Sequence, residues 1–149
     1  MLVFQFIAVL ATTLFTGAAI YINVAEHPAR MECGTAVAAT VFGPSYRRAT
    51  VMQAVLALVA TAGAIGAWFA GASVTWLIGA LLIFAVVPFT LLVIMPTNKK
   101  LLHPAIDRSS DIVHRLLQHW GRLHAVRSVL ALTSSIIFIV SLLSSTPKP

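Results

Sequence analysis

The stretch VHRLLQHWGRLHAVR, residues 113–127, carries membrane-grade apolar side chains and ionisable ones on the same predicted helix. At 3.6 residues per turn, Val113, Leu116, Leu117, Trp120, Leu123, His124 and Arg127 fall on one side and Arg115, His119 and Arg122 on the other. A histidine and an arginine therefore sit on the greasy face. They are three residues apart, and Trp120 lies one turn before His124, so the three side chains converge on one small volume. That volume is the candidate site.

The surrounding chain is membrane-like: 59% hydrophobic and 9% charged, with a mean hydropathy of +0.94. No charged residue occurs over 1–25, 49–98 or 128–147. A span needs roughly 20 apolar residues, so the first and last of these stretches hold one helix each. The middle one holds two, with a turn at Gly71, Ala72 and Ser73. The expected fold is all-α, a four-helix transmembrane bundle with short cytoplasmic interfacial helical segments. It forms a single integral membrane domain over 1–149, with spans at about 2–24, 49–70, 74–95 and 128–143, the last continuing a helix from about 111.

The formal net charge of +6 does not point to nucleic acid, because the basic residues flank apolar spans, where they set topology and meet anionic lipid. Arg30, Arg47 and Arg48 lie in the first connection. Lys99, Lys100, Arg108, Arg115, Arg122 and Arg127 lie in or just after the third, and the second has none. The positive-inside rule then makes connections one and three cytoplasmic and both termini non-cytoplasmic. Cys33 is the lone cysteine, so no intrachain disulfide forms. The first apolar run has no basic residue ahead of it and reads as a retained span rather than a cleaved leader.

Taken in order, span one ends in Asn23, Glu26 and His27. Asn23 and His27 are one turn apart, and Pro28 ends or bends the helix. Ionisable residues at this depth are either capping groups that meet headgroups and water or parts of a site. Gly17 reads as a close helix contact, and 31–42 as a short helix along the interface. In span two, the pairs Ala62/Gly66 and Gly63/Ala67 let backbones approach, within the chain or, as the weaker alternative, in a homo-oligomer. Pro88 should bend span three and so can open a cavity. Pro96 should stop that helix and present Asn98 at its edge, as a cap or as a ligand contact. The tail from Ser144 onward carries no motif.

Asn23, Glu26, His27, Asn98, His124 and Arg127 all fall near the same ends of their helices and so can face one pocket. Neutral imidazole acts as a base or ligates a metal, and arginine stabilises a phenolate, enolate or carboxylate. His119 and His124 point apart, and H-E-x-x-H, C-x-x-C, the P-loop and the dinucleotide fingerprint are absent. No cofactor is expected, and a metal shared by His27 and His124 is the alternative. Trp120 and Arg127 also fit plain interface anchors.

The run Pro96, Thr97, Asn98, Lys99, Lys100, Leu101, the later Trp120 to Arg127 with its W-x-x-L-H-x-x-R spacing, and the four-span layout resemble the anthrone oxygenase-like membrane proteins. Such a resemblance implies a flat aromatic or quinone-like substrate whose central carbon is oxidised by dioxygen without a bound cofactor. It assigns His124 as base and Arg127 as anion stabiliser. Trp120 would stack on the substrate, and Asn98, His27 and Asn23 would bind and orient it. The expected partners are the lipid bilayer and that substrate. The alternative function is a structural or accessory subunit of a larger membrane complex, given the small size and the small-residue stripes. A transporter lacks support, since the spans show no internal repeat and no deep acidic residue.

Overall fold

A computed structural model describes residues 1–144, and the predicted polar tail beyond lies outside the described residues. The protein is all-helical. The helices α1 (Leu2–Tyr21), α2 (His27–Glu32), α3 (Thr35–Phe69), α4 (Thr75–Phe89), α5 (Met95–Leu101) and α6 (Asp111–Ser144) are joined by two π-helical turns, Ile22–Glu26 and Thr90–Ile94. The π turns fuse α1 to α2 and α4 to α5, giving four long apolar rods: Leu2–Glu32, Thr35–Phe69, Thr75–Leu101 and Asp111–Ser144. Each is long and apolar enough to cross a bilayer, and the protein is a multi-pass membrane protein. Its outer surface carries exposed Leu10, Leu14, Val55, Leu58, Leu81, Val129, Ile136 and Val140, a coat suited to lipid.

Lipid tails are as apolar as these side chains, so close packing and buried hydrogen bonds hold the rods together. Alanine dominates the inside, with Ala8, Ala60, Ala64, Ala67 and Ala131 fully buried. Gly63 lets α1 lie against α3: a β-carbon there would come within 3.0 Å of the Ala8 amide nitrogen. Of the small residues of span two, Gly63 and Ala67 are buried and Gly66 meets Phe4, whereas Ala62 is exposed. Polar pairs bridge the rods, among them Thr16 Oγ1 with Ser135 Oγ at 2.8 Å and Ser134 Oγ donating to the Gly79 carbonyl at 2.8 Å.

Helix α6 begins at Asp111 and runs unbroken through Arg127 into the last span, as its pattern predicts. The turn at Gly71, Ala72 and Ser73 also forms, with Gly71 at φ 95°, where a side chain would be strained. Three expectations are corrected. Residues 31–42 are not a separate interfacial helix, because all but their first few residues belong to the 35-residue helix α3, which runs straight through Pro44. A single proline deletes one backbone bond, which the rest of so long a helix outweighs. Gly17 makes no close contact, since nothing lies within 4 Å of the position its β-carbon would take. Pro96 does not stop the third span: it follows directly on the widened turn Thr90–Ile94, and the rod continues to Leu101.

Each π turn sits just before such a proline, Pro28 in α2 and Pro96 in α5. A proline ring clashes with the carbonyl four residues earlier, and widening the preceding turn relieves the clash without breaking the rod. Both widened turns lie at the basic end of the bundle. There Ile22, Phe42, Ile94, Leu117 and Trp120 form one buried cluster.

Candidate functional site

Asn23 lies within the first π turn and faces α6. Its Nδ2 donates to the Gly121 carbonyl at 3.0 Å, and that carbonyl can only accept. The amide is thereby oriented, and Oδ1 points at His124 Nδ1, 2.7 Å away, and at Ser128 Oγ, also 2.7 Å away. An oxygen acceptor at Nδ1 requires the proton to be on Nδ1, which leaves the Nε2 lone pair of His124 free. His124 is 1% exposed. The arrangement gives a buried imidazole in one tautomer.

Trp120 is the centre of an aromatic stack, with its ring centroid 4.8 Å from that of His124, 5.3 Å from His27 and 5.2 Å from Phe42. The Arg30 guanidinium lies 5.3 Å from the Trp120 centroid and 5.8 Å from that of Phe42. Arg30 also pairs with Glu26 Oε1 at 3.4 Å, and the same oxygen accepts from Ser45 Oγ at 2.7 Å. Its Nε donates to His27 Nδ1 at 3.3 Å, and the His27 ring also bonds the Leu117 carbonyl. His27 also rests against Gly121, where a β-carbon would lie 2.7 Å from its Nε2. Among the described residues, no group of three or more His, Cys, Asp or Glu is placed to hold one.

Arg127 has different company. One terminal nitrogen donates to Gln53 Oε1 at 2.8 Å, the guanidinium lies 5.6 Å from the Phe15 centroid, and Nε is buried without a hydrogen-bond partner. The chain has four acidic residues, and the ion pair among the described residues joins Glu26 to Arg30. Arg127 thus holds a positive charge inside the bundle with no carboxylate against it, which is costly unless an anion arrives.

Two chambers meet at Arg127. The first, with room of about 20 Å³, is lined by Arg30, Phe42, Tyr46, Trp120, His124 and Arg127 among others, and it holds little more than a water or two. The second, about 100 Å³, lies between α3 and α4 against Phe15, Ala57, Val86, Thr90, Leu91 and Met95. It sits beside Pro88, where the sequence predicts that a bend can open a cavity. Tyr46, Thr50, Gln53 and Arg127 line both chambers.

Of the six predicted site residues, Trp120, His124 and Arg127 line the first chamber. Asn23 and His27 stand directly behind them. Asn98 is brought to neither chamber: it is 1% exposed in α5, makes no side-chain cap, and its amide atoms have no partner among the described residues. Arg30, Tyr46, Gln53 and Ser128 also shape the site and were not predicted. For Gln53 a signal existed, since it is the lone strongly polar side chain between Thr50 and Thr61 in an apolar span.

The model of the anthrone oxygenase family matches residues 39–137, which include Phe42, Gln53, Trp120, His124 and Arg127. The anthrone oxygenase tpcL of Aspergillus fumigatus is 44% identical over 57 residues, 36% of this chain and 35% of that protein, so the match spans about a third of the relative's length. No solved structure matches. The matched residues carry Phe42 and Gln53 of α3 and Trp120, His124 and Arg127 of α6, while His27 and Arg30 of the first rod precede them, and the chain belongs to the anthrone oxygenase family.

Proposed function

We propose that the protein binds a flat, oxygen-bearing aromatic molecule of the anthrone type against Trp120 and promotes its oxidation by dioxygen, with His124 as base and Arg127 as counter-charge. Family membership supports the oxygenase chemistry. The observation that carries the assignment of roles is the pairing of a tautomer-fixed imidazole with a guanidinium that lacks a carboxylate, on one chamber wall beside an indole.

The steps follow from the groups present. The substrate stacks on Trp120 with its carbonyl oxygen toward Arg127. His124 Nε2 takes a proton from the central methylene carbon, and the electrons move to the carbonyl oxygen as an enolate that Arg127 stabilises. The electron-rich carbon then gives its electron pair to dioxygen, which is reduced to a hydroperoxide on that carbon. The proton from His124 completes the hydroperoxide. Loss of water breaks the O–O bond and leaves a second carbonyl, so that anthrone and O2 become anthraquinone and H2O. The chain's own part is to position, deprotonate and exclude water. His27 and Asn23 act from behind, the first holding Trp120 and the second holding His124. From the Lys/Arg asymmetry we place this end of the bundle on the cytoplasmic side.

The test is oxygen consumption and quinone formation by purified protein in nanodiscs supplied with an anthrone. His124→Ala should lower turnover by about 10²–10⁴-fold. Arg127→Lys keeps the charge but loses the planar fork, and it should also fall well below wild type. If both variants fold and turn over at the wild-type rate, His124 and Arg127 are membrane anchors. If wild type neither binds nor oxidises anthrones and instead copurifies with another membrane protein in fixed ratio, an accessory subunit is the better description.

A further inference from the structure

The first chamber is too small for a molecule of several fused rings, yet it is the one that His124 and Trp120 face. The larger chamber adjoins it through Tyr46, Thr50, Gln53 and Arg127. Away from that seam its walls are largely apolar, and two residues at its rim, Ala54 on α3 and Leu91 on the second π turn, are exposed on membrane-spanning rods and so face lipid. Of these four shared residues, Arg127 and Gln53 are hydrogen-bonded to each other, and both are incompletely satisfied. Gln53 is 2% exposed, and its Nε2 has no hydrogen-bond partner among the described residues; nor does Arg127 Nε. Unpartnered buried polar atoms that border a chamber are points where a ligand or an ordered water can bind.

We infer that the chamber between α3 and α4 is the second half of the ligand site, a lipid-open pocket that takes the rings of a fused aromatic while its oxygen-bearing edge reaches Arg127 where the two chambers meet, and that Gln53 is the positioning residue at the seam. This rests on the proposed site at Trp120 and His124 and adds where the remainder of the ligand lies and how it arrives. A neutral flat aromatic concentrates in the bilayer and meets the rim directly. At the seam, Gln53 Nε2 is a spare donor for a second ring oxygen, and Gln53 Oε1 keeps the Arg127 fork in plane with the first.

The experiment compares a three-ring ligand, 1,8-dihydroxyanthrone, with a one-ring ligand, phenol, binding to full-length protein in nanodiscs. Ala57→Leu fills the chamber from within, because Ala57 is 1% exposed and lines it. It should weaken the three-ring ligand at least tenfold and change phenol binding less than twofold. Ala54→Phe at the rim leaves the core untouched and should slow association of the three-ring ligand tenfold, while the lipid-facing control Val129→Phe leaves that rate unchanged. Equal loss of both ligands in Ala57→Leu, or unchanged three-ring binding and association in both chamber variants, overturns the second chamber alone. Failure of wild type to bind either ligand overturns the site at Trp120 and this chamber with it.

Discussion

His124 Nδ1 and Asn23 Oδ1, 101 positions apart in the chain, lie 2.7 Å from each other. The Gly121 carbonyl turns the Asn23 amide so that its oxygen faces the imidazole. Asn23→Ala removes the acceptor and frees the ring to change tautomer and tilt. With His124 as the proposed base, turnover of an anthrone should fall at least about tenfold with little change in apparent affinity, because the lost quantity is that base's orientation. Asn23→Asp keeps an acceptor at the same place and should retain more activity than Asn23→Ala. Equal turnover in wild type and Asn23→Ala would detach Asn23 from the chemistry.

Gly121→Ala should destabilise the fold, against the usual benefit of alanine within a helix. The added methyl would sit 2.7 Å from His27 Nε2, and that ring is held by Arg30 on one side and the Leu117 carbonyl on the other. Overpacking of this kind costs about 1–3 kcal/mol. Thermal unfolding in detergent should show a lower midpoint than wild type. A raised midpoint would mean that His27 swings aside freely.

Gln53→Glu gives Arg127 the carboxylate it lacks. The pair would neutralise the guanidinium, and the anionic oxygen proposed to meet Arg127 should lose its counter-charge. Binding of an enolate mimic such as a nitrophenolate should weaken at least tenfold, while the folded protein remains as stable as wild type or gains stability from pairing a buried charge. Unchanged phenolate affinity would show that Arg127 does not meet the ligand's oxygen.

Orientation in the membrane is open to chemical labelling. A cysteine at Ser73, placed in a Cys33→Ser background, should react with an impermeant reagent added outside intact cells, since the Lys and Arg residues gather at the opposite end of the rods. Reaction only after the cytoplasmic side is opened would invert the topology.

Much of this architecture was legible in the chain. Four rods, the hairpin at Gly71, the unbroken helix from Asp111 and the inward face of Trp120 and His124 all follow from hydropathy and from spacing at 3.6 residues per turn. Misjudged elements centred on proline, which local preference treats as a stop. Pro44 is absorbed by a 35-residue helix, and Pro96 rides in the first turn after a widened one. The identities of Arg30 and Gln53 as site residues depend on contacts between rods. Gln53 meets Arg127 across 74 positions, a relation that periodicity within either helix does not encode. Asn98 shows the converse: its motif singles it out, yet its side chain is sealed away from both chambers.

The two π turns also act as frame-setters. A π turn holds one more residue than the α turn it replaces, so each is a one-residue surplus in an otherwise regular count, and a step of one residue on a helix is a rotation of about 100°. The widened turn absorbs that surplus and so keeps the two sides of the rod in phase with their neighbours. In a regular α-helix of the same length, either Phe15 and Thr16 would leave the middle of the bundle or His27 and Arg30 would leave the stack around Trp120. The turn therefore works through its width more than through its side chains: Val24 and Ala25 are exposed and free to vary in kind, and loss of one residue here would return the rod to plain α pitch with both faces kept.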